Sequence, residues 1–131
     1  MFEDTSWQVE QIPEQCLVYM RAHKSLLVEG RLRPGVFRPK GAGMSVDWGK
    51  YSSAAATRAR AKVQADNAVI RIPVLGIRKI PLEVSHSPDH ERLNRAHCDV
   101  VFPSRPEDVT EARRLLAELA DVVIGLAATP S

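Results

Sequence analysis

Three stretches of this chain alternate apolar and polar side chains with a period of two: LVYMRAH, GMSVDW and RAHCDVVF. That period belongs to a β-strand, because successive side chains leave a pleated backbone on opposite faces. Each stretch therefore carries a polar pair on one face: Arg21 with His23, Ser45 with Asp47, and His97 with Asp99. Apolar residues occupy the other. Such strands are one-sided and must join a sheet whose one face is buried and whose other face is wet. If the three share a sheet, arginine, histidine, serine and aspartate converge in one cleft.

The rest of the chain fills in around them. Residues 1–14 read as an irregular lead-in, with Trp7 and Ile12 as anchors and Pro13 ahead of a first strand at 15–22. Residues 24–42 form a basic loop, with Gly30, Pro34, Gly35, Pro39 and Gly41 too dense for a long regular element and at most a helical turn at 25–29. A second strand spans 43–48. Ser52 or Ser53 caps a short helix through AAATRARAKV, with Ala55, Ala59 and Ala61 or Val63 turned inward. Strands follow near 67–74, 77–85 and 95–102, with the polar loop SHSPDHERLN before the last. Ser104 and Glu107 form a capping box ahead of a C-terminal helix, with Pro106 in its first turn. The apolar spacing from Val109 through Leu116 and Leu119 to Leu126 carries that helix to Gly125 or the terminal tail. Strands that cluster without regular βαβ alternation predict an α+β fold: one domain over 1–131, a mixed or mainly antiparallel sheet, a short central helix and a long C-terminal one.

Composition narrows the function classes. No apolar run approaches the length of a transmembrane helix, and the acidic N-terminus does not resemble a secretory signal. Cys16 and Cys98 are too few and too far apart for a disulfide framework or a zinc site, so reduced thiols in a cytoplasmic protein are expected. The net charge is only +2, yet the bases concentrate between residues 16 and 85, flanked by acidic ends. A basic middle attracts phosphate, nucleotide or nucleic acid.

Chemistry follows from the polar pairs. His97, supported by Asp99 on the same strand face, is the acid–base candidate; His23 is second, and Ser45 joins them as a catalytic candidate. His86 continues the inward phase of Leu82 and Val84. Arg21 and the loop bases Arg31, Arg33 and Arg38 are the candidate anion holders. No close-spaced metal-ligand pattern, phosphate-binding glycine loop or nucleophile elbow is present, so no metal site is expected and no cofactor is specified.

The run LVYMRAH, then a Gly- and Pro-rich loop with Phe37, then GMSVDWGKYSSAAATRARA, then NAVIRIPV resembles the layout of ADP-ribosyltransferase-like domains. The resemblance implies that Arg21 or His23 holds the diphosphate or ribose of NAD, with Ser45 in the second motif and Tyr51 as its aromatic neighbour. His97 and Asp99 stand where that family carries an acid. The R-x-H strand, S-V-D strand and N-x-A-H segment are also similar to a group of small bacterial proteins, a resemblance that implies no activity. Two function classes stand: binding of an anionic nucleotide or nucleic acid in a polar cleft, with ADP-ribosyltransferase-like chemistry, or a non-enzymatic interaction protein such as an adaptor, an antitoxin or a subunit of a larger assembly.

Overall fold

The alternating stretches become neighbouring strands of one sheet in the computed structural model, which describes residues 7–39 and 43–126. In chain order the elements are β1 (Leu17–His23), β2 (Leu27–Val28), β3 (Arg31–Leu32), β4 (Gly43–Trp48), α1 (Ala54–Ala59), β5 (Asn67–Pro73), α2 (Val74–Lys79), β6 (Glu83–His86), β7 (His97–Val101), α3 (Pro106–Leu119) and β8 (Asp121–Ile124). The main sheet runs β6-β7-β4-β1-β5-β8, every neighbouring pair antiparallel. The fold class is α+β, as the clustering of strands implied.

Register fixes which side chains share a face. Ser45 lies opposite Asp99, Asp47 opposite His97, and Tyr19 opposite Asp47. Residues directly opposite in an antiparallel pair point the same way. The three polar pairs therefore stand on one side of the sheet. The other side holds Val18, Met20, Ala22, Met44, Val46, Trp48, Ile70, Ile72, Val84, Cys98 and Val100, all buried in one core with Val74, Ile77, Ala112 and Leu116 from α2 and α3. The polar side is partly roofed by α1, whose Thr57 is buried.

Four local expectations are corrected. The strand expected from residue 77 to 85 is confined to β6, because residues 74–79 form α2 instead. Pro73 has no amide to continue a ladder and serves as the N-cap of α2, and Val74 and Ile77, three apart, turn into the core. Gly76 lets α3 approach: a Cβ there would fall 2.4 Å from Leu119 Cδ2.

The central helix stops at Ala59, with Ser53 accepting the Ala56 N–H as its N-cap. Ala55, Ala59 and Val63 are exposed. This helix lies on the polar side, where the buried partner is a carboxylate rather than an apolar groove.

The N-cap of the C-terminal helix is Arg105, with no Ser104 capping box, and Glu107 turns to Arg105. It ends at Leu119. Val122, Val123 and Ile124 belong to β8, where β-branched residues suit a strand and the edge of β5 offers ladder partners.

The basic loop is partly structured. β2 and β3 close around Glu29 and Gly30 with φ of 53° and 77°, the two left-handed residues of a type I′ hairpin. Val36 and Phe37 anchor the segment in the core. Residues 1–6 of the expected lead-in, residues 40–42 of the loop and the terminal tail from 127 lie outside the described residues.

On the outer face of α3, Arg114 pairs with Glu111 and Glu118 in the open. Exposed helix pairs contribute about 0.3–0.5 kcal/mol each. Arg114→Ala should therefore leave the melting temperature within about 3 °C of the parent, as checked by a circular dichroism melt.

Candidate functional site

A cleft opens where two central strands part. The ladder between β1 and β4 holds only Val18 opposite Trp48 and Tyr19 opposite Asp47, while β1 stays paired with β5 as far as His23. Beyond Tyr19 the two strands enclose a cavity of about 350 Å³ that includes Arg21, Ser45, Asp47, Arg60, Asp89, Arg92, Asn94 and His97 in its lining. Of the residues expected at a site, the structure brings Arg21, Ser45 and His97 together here.

Asp47 organises the floor. It is 6% exposed and accepts hydrogen bonds from Thr57 Oγ1 at 2.8 Å, Arg60 Nη1 at 2.9 Å and Asn94 Nδ2 at 2.9 Å. Thr57 and Arg60 sit three apart on one side of α1 and reach down to it. Asn94 comes from the loop after β6 and uses its own Oδ1 to accept the Ala96 N–H. One buried carboxylate thus ties a strand, a helix and a loop together. Arg21 reaches the same helix from below, donating from Nη1 to the Thr57 carbonyl at 3.1 Å.

Ser45 and His97 form a hydroxyl–imidazole pair at the mouth of the cleft. His97 Nδ1 lies 2.8 Å from the Ser87 carbonyl oxygen, which can only accept, so Nδ1 carries the proton. Nε2 is then the acceptor, and the Ser45 hydroxyl donates to it at 3.0 Å. Asp99 is not the direct support expected for His97. Two residues apart on a strand, the pair stands roughly 7 Å apart at the backbone, and the Asp99 carboxylate instead accepts the Ser87 hydroxyl at 2.8 Å. Asp99 steadies the residue that steadies His97, and it lies outside the cleft lining.

The other expected site residues lie elsewhere. His23 is exposed at the end of β1, where Nδ1 accepts the Ser25 N–H and caps a short 3₁₀ turn. Arg31, Arg33 and Arg38 are exposed and do not line the cleft. Their segment is pinned by Leu26, Leu27, Leu32, Val36 and Phe37 to the apolar core on the opposite side of the sheet. Burial pushes the Cys98 thiol up to about 12, so it stays protonated at neutral pH and is no nucleophile.

Sequence reasoning missed Thr57, Arg60, Asp89, Arg92 and Asn94. A signal existed for two of them, since Thr57 falls one turn after the Ser53 cap and Arg60 nearly one turn later. The other three come from the loop 87–96, whose path no local pattern gives. Leu93 sits in this loop with φ of 55° and is 75% exposed. A left-handed leucine costs about 1–2 kcal/mol, and glycine returns part of that as chain entropy. Leu93→Gly should therefore raise stability by roughly 0.5–1 kcal/mol, read from urea unfolding.

The N-terminal strap braces this loop from outside. The Trp7 ring stacks on His90 and the Trp7 backbone N–H donates to His90 Nε2, while the Glu10 backbone N–H donates to buried His86 Nδ1. His86 Nε2 in turn donates to the Arg95 carbonyl at 2.7 Å. Lys50 and the Tyr51 hydroxyl both donate to Glu10 and hold its carboxyl below its usual value. A depressed acid contributes above its ordinary value of 4.5 and loses that contribution as pH falls through the lower folded value. Trp7 fluorescence should therefore change as the solution is acidified below about 4.5, and Glu10→Gln should abolish that transition.

Among the described residues no cluster of three or more histidine, cysteine, aspartate or glutamate side chains is placed to hold a metal ion, and no helix is long and apolar enough to cross a membrane. Comparison with protein-family models, with curated proteins and with solved structures found no match.

Proposed function

We propose that the cleft between β1 and β4 binds an anionic ligand, a nucleotide or the phosphates of a nucleic acid, with His97 beside it as the acid–base group. The observation that supports this is the convergence of Arg21, Arg60 and Arg92, from three separate elements, in one cavity with Ser45 and His97. Arg60 is matched by Asp47, and Arg92 lies 3.9 Å from Asp89. Among the described residues Arg21 has no carboxylate partner, so it is the cation with most to gain from an anion. The volume of about 350 Å³ suits a single nucleotide or one anionic moiety of something longer. The resemblance to ADP-ribosyltransferase-like domains makes NAD one of the nucleotides to test, since Arg21 and Ser45 flank the opening. The free thiols of Cys16 and Cys98 suit a reducing compartment such as the cytoplasm.

Calorimetric titration with AMP, ADP, NAD and a short single-stranded RNA at low salt tests this reading. Binding of at least one should appear, weaken steeply as salt rises, and fall at least tenfold in Arg21→Ala. Absence of binding to all four at low salt would overturn it.

A second reading, a non-enzymatic interaction protein, rests on β8. Among the described residues this strand is the outermost of the sheet, and Val122 and Val123 are 39% and 37% exposed. Free strand edges invite pairing with another chain. Sedimentation of the parent and of Val123→Lys discriminates the two: a partner-seeking edge gives an assembly that the lysine abolishes.

A further inference from the structure

We propose that Ser45 is an activated nucleophile and that the cleft catalyses acyl transfer from an anionic carboxylic ester, an inference that rests on the anion-binding reading above.

Three features carry it. The first is the dyad. A serine hydroxyl becomes a useful nucleophile when a neutral imidazole accepts its proton and a third group fixes that imidazole. Here Nε2 of His97 accepts from Ser45 at 3.0 Å, and the Ser87 carbonyl holds the Nδ1 proton at 2.8 Å. The tautomer is thereby fixed as the one that general-base catalysis needs. The Ser87 hydroxyl, bonded to Asp99, keeps that carbonyl in place.

The second is access. Ser45 is exposed although it lies in the middle of a six-stranded sheet, because its side chain stands on the wet face and lines the cleft where the β1–β4 ladder has ended. A mid-sheet serine is ordinarily a poor nucleophile for want of an approach path. Here the gap supplies one.

The third is a place for negative charge. The Gly49 N–H donates to the Leu17 carbonyl across β1 and β4. Peptide groups alternate in direction along a strand. That bond therefore directs the peptide groups of Leu17, Tyr19 and Arg21 at β4, and those of Ser45, Asp47 and Gly49 at β1. The ladder stops at Tyr19 opposite Asp47, so the N–H and C=O groups of Arg21 and Ser45 both face the opening, and the two N–H groups are the ones that can meet an oxyanion. Amide N–H groups aimed at a developing oxyanion stabilise an acyl-transfer transition state, and the nucleophile's own amide is well placed for it. The Arg21 side chain lines the same opening and would receive the anion of the substrate.

The step balances without a metal or a redox partner. Ser45 Oγ attacks the ester carbonyl carbon while its proton passes to His97 Nε2. The tetrahedral intermediate then expels the alcohol oxygen, which takes that proton and leaves as the free alcohol. Water attacks the acyl-Ser45 carbonyl and gives its proton to Nε2. The carbon–Oγ bond breaks, the carboxylic acid leaves, and Nε2 returns the proton to Oγ.

The test uses the full chain and a fluorophosphonate, which phosphonylates serines activated by an imidazole. Intact mass and peptide mapping should show one adduct, on Ser45. Ser45→Ala should lose it, and His97→Gln should slow it at least a hundredfold with an unchanged circular dichroism melt. Hydrolysis of p-nitrophenyl hemisuccinate should exceed that of p-nitrophenyl acetate, and Arg21→Ala should remove the difference. A folded parent protein whose Ser45 stays unlabelled, or labelling that survives His97→Gln undiminished, overturns the nucleophile. The two readings fail separately. Nucleotide binding without Ser45 labelling removes the acyl transfer and leaves the anion cleft. Labelling with no preference for the anionic ester and no nucleotide binding removes the anion cleft and the ester class that depends on it.

Discussion

Replacing Asp47 by alanine should cost the fold about 2–4 kcal/mol and lower its melting temperature by roughly 10 °C. The carboxylate is buried and holds three donors: the Thr57 hydroxyl, the Arg60 guanidinium and the Asn94 amide. Arg60 is about one-third exposed and can turn to water, so its share of the cost is small. Thr57 and Asn94 are buried at 2% and 7% exposure; the Thr57 hydroxyl can turn to Ser52 Oγ, 3.1 Å away, whereas the Asn94 amide would keep a donor with no acceptor. An unmet buried donor costs about 1–3 kcal/mol. Asp47→Asn keeps an acceptor oxygen and should recover part of the loss. A thermal melt of both variants checks this. Equal melting temperatures for parent and Asp47→Ala would show that the strand, helix and loop are held without their shared carboxylate.

The second large effect belongs to the core. Leu116 is fully buried on the inner face of α3, four residues from buried Ala112. Truncating a buried leucine removes its transfer free energy and leaves a cavity, a cost of about 2–5 kcal/mol. Leu116→Ala should therefore lower the midpoint of urea unfolding markedly without changing the slope, and should do so whether or not the cleft binds anything. Leu119→Ala should cost less, because Leu119 is only partly buried and caps Gly76 rather than filling the centre. The contrast with exposed Arg114 on the same helix makes the inner face, not helix propensity, the source of the stability.

These two residues also mark how far the chain could be read before folding. Leu116 was legible because a 3.6-residue spacing of apolar side chains names its own buried face. Asp47 was legible only as the polar partner of Ser45 on one strand face. Its work as a structural tie was not, because Thr57 and Asn94 reach it from 10 and 47 residues away in the chain. The strand period pairs His97 with Asp99, and the structure inserts Ser87 between them. The arginines show the same limit. Arg21 stood in a strand whose phase fixed its face, whereas Arg31, Arg33 and Arg38 stood in a segment whose course depends on where Val36 and Phe37 bury themselves.

By itself the sequence determined the one-sided strands, the face that each polar pair shares, the α+β class and the apolar stripe of the C-terminal helix. All of these follow from side-chain periodicity along a few neighbouring residues. Tertiary structure decided the rest: that the last residues of the expected helix pair with β5 as β8, that β1 and β4 part to open a cleft, and that Asn94 and Arg92 arrive there on a loop. Strand order, the length of a ladder and the partner of a buried carboxylate depend on segments far apart in the chain, and no local period encodes them.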